Sequence, residues 1–379
     1  MKVTMMAKEY PPYVYGGAGV HLRYLSQELS KIMDVEVRCF GDQKSDEKIK
    51  VRGYKGWDAL KGKNFSPALE TMSTNLLAQM EEINSDVVHT HTWYGHFGGL
   101  MTKILYDIPF VATCHSLEPL RPWKVDQLGR GYHLSAWIEK MAIEQCDKVI
   151  AVSNLMKQDI LKCFNIPAEK VEVIHNGIDL NKWQYTSLNA SLKKEYGIAD
   201  DYILFVGRPT PQKGLEYLID AADDIPVQIV LGAVGADTKD YEERMIKKVE
   251  KKKNIVWIHK LLKEEEYVQL YSSSKIFVCP SIYEPFGIIN LEAMACKTPV
   301  IASATGGILE VVVPEETGLL VEPKNSKQIA DSVNRLLKDD KLRKKFGENG
   351  RARVEKYFSW TYIAQKTKKL YEGITGQKK

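Results

Sequence analysis

The segment EPFGIINLE holds two carboxylates, Glu284 and Glu292, around a glycine and a short apolar run. It follows the strand-like run IFVCPS and leads into EAMACK, which is typical of a helix. A strand-to-helix turn normally suits anions, because its free N–H groups and the helix dipole favour negative ligands. A carboxylate in this place must serve a group that donates hydrogen bonds, such as the hydroxyls of a sugar.

We therefore predict an anion-binding backbone at residues 287–289 with a sugar-binding carboxylate on each side. Glu284 precedes the helix and can lean towards a ligand, whereas Glu292 lies about two turns along the helix and can reach a second polyol such as a ribose. An ordinary surface position is the alternative for Glu292. The segment ATGGILEVV shows the same pattern of glycines at a strand-to-helix turn, because Gly306 and Gly307 follow another strand end.

Two cations follow a further strand in FVGRPTPQKGLEYLIDA. Arg208 and Lys213 approach the start of a helix, where the dipole opposes positive charge unless an anion joins them. Arginine can hold a phosphate with two parallel hydrogen bonds, and lysine supplies a mobile point charge. The pattern indicates a phosphate site, with two solvated surface cations as the alternative.

The first strand is followed by a glycine turn, YGGAGVH, containing Gly16, Gly17 and Gly19. Glycines let the backbone approach a ligand, and the helix start offers N–H groups to phosphate. The spacing differs from G-x-G-x-x-G, and no acidic residue closes a second strand about 20 positions on, so a nicotinamide dinucleotide site fits poorly. A tight turn without a ligand is the alternative.

Histidines gather near two strand ends in the first half of the chain. His115 ends one strand, where a structural role is the alternative to a catalytic one, and DVVHTHTWYGH contributes His89, His91 and His96. No carboxylate cluster accompanies them, which favours packing and hydrogen bonding over zinc. No D-x-D sequence is present to hold a magnesium–nucleotide complex, so we predict no metal.

Short, β-branched, unalternating apolar runs alternate with helical stretches throughout the 379 residues, as expected for strands buried on both faces of parallel sheets. The pattern runs through twice and predicts two Rossmann-like domains facing a central cleft. We predict a first domain over 1–182, a linker over 183–201 and a second domain over 202–357. A C-terminal helical segment, 358–379, belongs to no strand unit.

Composition is that of a globular protein, with 44% hydrophobic and 27% charged residues and a net charge of +4 that does not argue for nucleic acid. The six cysteines are scattered, without C-x-x-C, as for reduced thiols. No apolar run approaches the roughly 18 residues of a membrane helix. These features predict a cytoplasmic protein.

These residues together resemble the retaining GT-B glycosyltransferases. The segments YPPYVYGGAGVH, THTWYGHFGG, HSLEPLRPWK, LSAWIEKMAIEQCDKVIAVS and VIHNGID more narrowly resemble the short actinobacterial-type glycogen synthase family. Its members include enzymes that make maltose 1-phosphate from ADP-glucose and glucose 1-phosphate. The resemblance covers essentially the whole chain and implies that the C-terminal helix crosses back to the first domain.

The resemblance implies roles for matching positions. Arg208 and Lys213 would hold the donor diphosphate, Glu284 the donor glucose and Glu292 the ribose, and His115 would lie beside the transferred sugar. The remaining residues expected to contact the nucleotide-sugar are Gly16, Gly17, Asn176, Phe286, Gly287, Ile288, Thr305, Gly306 and Gly307.

We expect transfer of glucose from a nucleotide-glucose, with ADP-glucose favoured, to an α-1,4-glucan or glucose 1-phosphate, with retention and without metal or cofactor. Arg121 and Lys124 beside His115 are candidate readers of the acceptor phosphate, and a solvated basic loop is the alternative. The alternative function is synthesis of another glycoside, of the sucrose or glycolipid type, from a UDP- or GDP-sugar. A glycoside hydrolase, an epimerase and a non-catalytic sugar-binding protein fit less well. The expected partners are donor and acceptor, without nucleic acid or membrane, and a homodimer stays open.

Overall fold

The computed structural model describes residues 1–44 and 48–376. The chain divides into two compact units. The first comprises Met1–Gly177 together with the chain from Trp360 onward, and the second comprises Ile178–Ser359. Each unit contains one sheet whose strands all pair in parallel.

The first unit is a seven-stranded sheet with helices between most successive strands, β2 and β3 being the exception among the described residues. Its strands are β1 (Lys2–Ala7), β2 (Asp34–Phe40), β3 (Lys50–Tyr54), β4 (Val87–His91), β5 (Phe110–Cys114), β6 (Lys148–Ala151) and β7 (Val171–Val173). Its helices in this part of the chain are α1 (Gly17–Leu29), α2 (Ser66–Leu77), α3 (Thr92–Tyr106), α4 (Val125–Leu128), α5 (Gly131–Gln145) and α6 (Asn154–Cys163). The strand order is β3-β2-β1-β4-β5-β6-β7.

The second unit is a six-stranded sheet in the order β10-β9-β8-β11-β12-β13. Its strands are β8 (Tyr202–Val206), β9 (Gln228–Gly232), β10 (Ile255–Ile258), β11 (Ile276–Cys279), β12 (Val300–Ser303) and β13 (Gly318–Val321). Its helices are α7 (Ala190–Tyr196), α8 (Leu215–Asp220), α9 (Lys239–Val249), α10 (Glu264–Ser273), α11 (Ile288–Ala295), α12 (Ile308–Val311), α13 (Ser326–Leu337) and α14 (Asp340–Tyr357). Helix α7 lies inside the segment that the sequence predicts as a linker without a strand.

The last helix, α15 (Trp360–Thr375), returns to the first unit, as predicted. It packs against α1, and Trp360 and Tyr371 are buried in the core that the first sheet shares with α1. The Trp360 ring lies where a side chain at Gly177 would overlap it. The aromatic residues of this segment therefore anchor it in the first unit.

In each sheet, strands are added in one direction from the first strand and then in the opposite direction, so the strand order reverses at one point. The reversal falls between β1 and β4 in the first sheet and between β8 and β11 in the second. In open parallel sheets, ligands bind outside the carboxyl ends of the strands at this point. We therefore expect ligand-binding residues in the loops that follow these four strands.

No helix in residues 1–44 and 48–376 is long and apolar enough to cross a membrane.

Candidate active site

The basic turn after β8 packs directly on the loop after β11. Gly214 has φ +62, and a side chain there would overlap the carbonyl oxygen of Pro280. The N–H of Ile282 donates to the carbonyl of Gln212 at 2.9 Å. This close backbone approach, which only glycine permits at position 214, brings Lys213 to the second loop.

Lys213 and Glu284 form an ion pair at that junction, with 2.7 Å between Nζ and Oε2. Their side chains are 18% and 8% exposed, so the pair is largely shielded from water. Ser281 Oγ donates to the same carboxylate oxygen at 3.2 Å. Two residues predicted for diphosphate and glucose are thus held in one hydrogen-bonded group.

Arg208 leaves the end of β8 and pairs with Asp237, with 2.7 Å between Nη1 and Oδ1. Asp237 lies in the loop after β9, the strand beside β8. The arginine side chain is 39% exposed. The carboxylate therefore orients one side of the guanidinium, and the other side remains open to solvent. This arrangement differs from that of an unpaired surface cation.

The glycine turn after β12 docks on the loop that carries Glu284. Gly306 has φ +55, and a side chain there would overlap the backbone carbonyl of Glu284. The Gly307 N–H donates to that carbonyl at 2.9 Å, and Thr305 Oγ1 donates to the Ile282 carbonyl at 3.1 Å. The structure thus gathers the predicted residues from three successive strand ends.

Three further predicted positions lie on or beside α11. Gly287 is the residue before this helix, and Ile288 is its first residue. The Phe286 side chain is 2% exposed and contacts the Phe358 ring edge-to-face at 5.9 Å between centroids. Phe286 is therefore a buried anchor, and only its backbone can face a ligand.

Glu292 is tied to α10, because Tyr271 Oη donates to its Oε2 at 3.0 Å. Removal from water raises the pKa of the Glu292 carboxyl to about 7, although the tyrosine hydrogen bond opposes the shift. The alternative of an ordinary solvated surface residue does not describe this partly buried and hydrogen-bonded group.

The glycine turn of the first unit is closed by a carboxylate. Glu9 Oε2 accepts from the N–H groups of Tyr15 and Gly16 at 2.8 and 2.9 Å, and Gly17 begins α1. A side chain at Gly19 would lie 2.6 Å from the same oxygen. An anionic group thus contacts the start of this helix, as expected of a helix N-terminus, and here the chain itself supplies it.

The predicted His115 lies beside two other imidazoles in the first unit. His91 Nδ1 and His115 Nε2 are 3.1 Å apart, and His21 Nδ1 lies 2.5 Å from Asn176 Oδ1. Burial lowers the pKa of His21 to about 4 and holds those of His91 and His115 well below the usual range. All three rings are therefore neutral at neutral pH.

Two other histidines serve packing and hydrogen bonding, as the sequence predicts. His89 contacts the Tyr371 hydroxyl and Thr113 Oγ1, each at 2.6 Å, and His96 contacts Thr90 Oγ1 at 2.7 Å. His89 therefore joins the sheet to α15.

The candidate acceptor residues are less exposed than a solvated loop requires. Arg121 Nη1 donates to Ser116 Oγ at 3.1 Å and lies 3.9 Å from Glu118, with 11% of its side chain exposed. Lys124 is 7% exposed. Their role as acceptor readers stays a prediction.

Several residues of these groups are absent from the sequence-based predictions, among them Glu9, His21, Asp237, Tyr271 and Ser281. His21 lies in the quoted motif GAGVH, one helical turn after Gly17, so the helical period could have placed it on the same side of α1. Glu9 lies only six and seven residues before Tyr15 and Gly16, whereas Asp237 and Tyr271 meet Arg208 and Glu292 from other loops and helices and gave no sequence signal.

Comparison with known proteins agrees with this architecture. The family profile described as Glycosyltransferase Family 4 matches residues 15–182, and that described as Glycosyl transferases group 1 matches residues 190–353. The α-maltose-1-phosphate synthase of Mycolicibacterium smegmatis is 39% identical over 392 residues, covering 99% of this chain and 100% of that protein. The synthase of the same name from Mycobacterium tuberculosis is 40% identical over 391 residues, with 99% and 100% covered.

Among solved structures, sucrose-phosphate synthase from Thermosynechococcus elongatus superimposes with a TM-score of 0.83 at 24% identity, covering 99% of both chains. Two parallel Rossmann-like sheets with a returning C-terminal helix are the architecture of the GT-B fold. The chain belongs to glycosyltransferase family 4 as a retaining enzyme, and it is a hexosyltransferase similar to α-maltose-1-phosphate synthase. The predicted family, fold and enzyme class are thereby confirmed.

Proposed function

We propose that the protein transfers glucose from ADP-glucose to glucose 1-phosphate, or to the end of an α-1,4-glucan, with retention of configuration and without metal. The observation that carries the proposal is the Lys213–Glu284 pair at the sheet's reversal point, in a chain so similar to α-maltose-1-phosphate synthases. A cation and a carboxylate in contact suit a ligand that presents a phosphate next to sugar hydroxyls.

The charges of the donor determine the roles of these residues. Breaking the anomeric C–O bond leaves its electron pair on the diphosphate and positive charge on the sugar. Arg208 and Lys213 stabilise the departing diphosphate, while Glu284 accepts hydrogen bonds from the glucose hydroxyls. The Lys213–Glu284 and Arg208–Asp237 pairs hold these groups in place before the donor arrives, and such electrostatic preorganisation is usually the largest single contribution to catalysis.

The acceptor hydroxyl attacks the same face of the sugar that the diphosphate leaves, and its proton passes to the departing diphosphate oxygen as the new bond forms. His115 lies beside the transferred sugar, and Asn176 near the reaction centre. The backbone of Gly16, Gly17 and residues 286–288, together with residues 305–307, contacts the nucleotide-sugar. Glu292 holds the ribose.

The test is an assay of metal-free protein with ADP-glucose or UDP-glucose, each offered glucose 1-phosphate or glycogen. We expect release of ADP that depends on glucose 1-phosphate, with a disaccharide phosphate as product. Release that depends only on glycogen assigns a chain-elongating synthase. If no nucleoside diphosphate is released with either acceptor, the acceptor assignment is refuted and synthesis of another glycoside is favoured.

Lys213→Ala is expected to lower kcat/KM about 100-fold or more, the range for loss of one preorganised electrostatic group. Lys260→Ala is the matched control, because Lys260 is an exposed lysine of the same unit paired with Glu195 at 3.7 Å. Equal activity of the two variants would contradict the role of Lys213.

We propose that Arg121 and Lys124 bind the phosphate of glucose 1-phosphate. Arg121→Ala and Lys124→Met should each raise the KM for glucose 1-phosphate, with the KM for ADP-glucose little changed. An unchanged KM for glucose 1-phosphate in both folded variants would refute this assignment.

A further inference from the structure

Three imidazoles from three separate elements converge in the first unit. His21 lies on α1, His91 ends β4, and His115 follows β5. One ring nitrogen from each lies within 4.8 Å of those of the other two. The ring centroids are 4.7 to 5.4 Å apart. His21 and His91 are fully buried, and His115 is partly exposed.

Two nitrogens of this cluster are buried without a hydrogen-bond partner in the part of the chain that the structure describes: His21 Nε2 and His91 Nε2. The tautomer of His21 follows from its neighbour. Its Nδ1 lies 2.5 Å from Asn176 Oδ1, which can only accept, so Nδ1 carries the proton and Nε2 an unused lone pair. A buried polar atom without a partner is costly and rare in native proteins.

Outside the cluster, His96 Nε2 is also buried without a partner among the described residues, whereas the neighbouring His89 is fully paired. His89 lies on the same strand as His91, with ring centroids 4.3 Å apart, yet both of its nitrogens have partners. His21 Nε2 therefore holds a lone pair that protein contacts do not use, whereas His91 Nδ1 and His115 Nε2 contact each other and would exchange that contact for the ion. Neutral imidazole is the form that binds metals.

We propose that His21, His91 and His115 bind one divalent transition-metal ion of the Zn²⁺ class, leaving a fourth coordination position open beside the partly exposed His115. The 3.1 Å between His91 Nδ1 and His115 Nε2 is close to the roughly 3.3 Å between two nitrogens that bind one tetrahedral zinc at about 2.0–2.1 Å. The proton now between those two nitrogens moves to the other nitrogen of its own ring, so no net proton is released. Asn176 orients His21 from behind, as outer partners of metal-bound histidines do.

Occupancy of the site inhibits transfer, because the ion fixes His115 and places a positive charge next to the sugar that itself becomes positive. This consequence rests on the proposed function, whereas metal binding does not. The proposed transfer uses no metal, so the ion acts as an inhibitor.

The test is direct titration of the full-length protein, freed of purification tag and metal, with Zn²⁺ by calorimetry and with Co²⁺ by visible absorption. We expect one ion per chain and the intense d–d bands of a four-coordinate cobalt site. His21→Asn and His91→Asn should each weaken binding about 100-fold, and Asn176→Ala about 10- to 100-fold, the range for loss of an outer-shell partner. His133→Asn, His259→Asn and Cys163→Ser are matched controls and should bind as the unaltered protein does, since these residues lie outside the cluster.

Absence of stoichiometric binding to the folded protein overturns the proposal. Binding that persists equally in His21→Asn and His91→Asn also overturns it, because another site then holds the ion. If His91→Asn fails to fold, judged by circular dichroism, His21→Asn and Asn176→Ala decide the outcome. The absorption readout needs no turnover, so a protein that is inactive when metal-free and yet binds cobalt refutes the proposed reaction and leaves the metal site standing.

Discussion

At the residue scale, Glu292 gives the sharpest dependence on pH. Burial raises its pKa to about 7, with Glu264 adding to the shift and Tyr271 and Lys213 opposing it. A ribose hydroxyl donates to a carboxylate more strongly than to a neutral acid, so donor binding should strengthen as pH rises through 7.

We expect the KM for ADP-glucose to fall by several-fold between pH 6 and pH 8. Glu292→Gln removes the ionisation, so its KM should be higher at pH 8 and nearly independent of pH. Initial rates at saturating acceptor over this range provide the measurement. If Glu292→Gln keeps the pH dependence of the unaltered protein, a group other than Glu292 causes that dependence.

At the element scale, the turn after β12 is predicted to depend on glycine. Gly306→Ala places a side chain at φ +55 against the Glu284 carbonyl, whereas Gly197→Ala places one at φ +64 with nothing within 4 Å. The left-handed conformation costs about 1–2 kcal/mol in either variant. Only Gly306→Ala should also displace the loop of Glu284 and reduce kcat/KM. Equal loss of activity in the two variants would show that backbone strain alone matters.

A buried carboxylate pair, Glu118 in the loop after β5 and Glu139 on α5, is a second feature at this scale. Glu139 Oε2 accepts from the Glu118 N–H at 2.7 Å, and Ser135 Oγ donates to Glu118 at 2.6 Å. Burial, and then the Glu118 charge, raise the Glu139 pKa well above its ordinary 4.5, with Arg121 opposing the shift. The folded state therefore holds a proton that the unfolded chain has released.

The stability contributed by this proton is present below pH 4.5 and declines as pH rises towards the folded pKa. Glu139→Gln keeps an accepting oxygen without the charge, so its Tm should fall less than that of the unaltered protein as pH rises. Calorimetry at several pH values between 5 and 9 measures the difference. Parallel Tm curves for the two proteins would mean that Glu139 does not titrate abnormally.

At the scale of the whole molecule, the two units differ in how the chain builds them. The core of the second unit comes from one continuous segment, whereas the core of the first needs α15 from the far end of the chain. Truncating a buried large aromatic residue typically costs 3–5 kcal/mol, and α15 contributes both Trp360 and Tyr371.

We therefore expect a fragment of residues 178–359 to unfold cooperatively on its own. A fragment of residues 1–177 should bind a hydrophobic dye and lack a sharp transition, and co-expression with residues 360–376 should restore one. Thermal melts followed by circular dichroism distinguish the cases. A cooperative melt of 1–177 alone would show that α15 is dispensable for that core.

The sequence by itself determined both sheets and the residues at their reversal points. Buried parallel strands require continuous apolar runs, and ligand-binding residues follow them directly, so both signals are local in the chain. The exception is β3, which carries Lys50, Arg52 and Gly53 at the edge of its sheet and lacks that apolar signal.

Only the tertiary structure decided which residues meet. Lys213 reaches Glu284 across 71 positions, and His21 reaches Asn176 across 155, because strand order places distant loops side by side. Such contacts depend on which strand lies beside which, and no periodicity in the sequence encodes that order. The histidine cluster and the raised pKa of Glu292 arise from these long-range contacts and the burial they create.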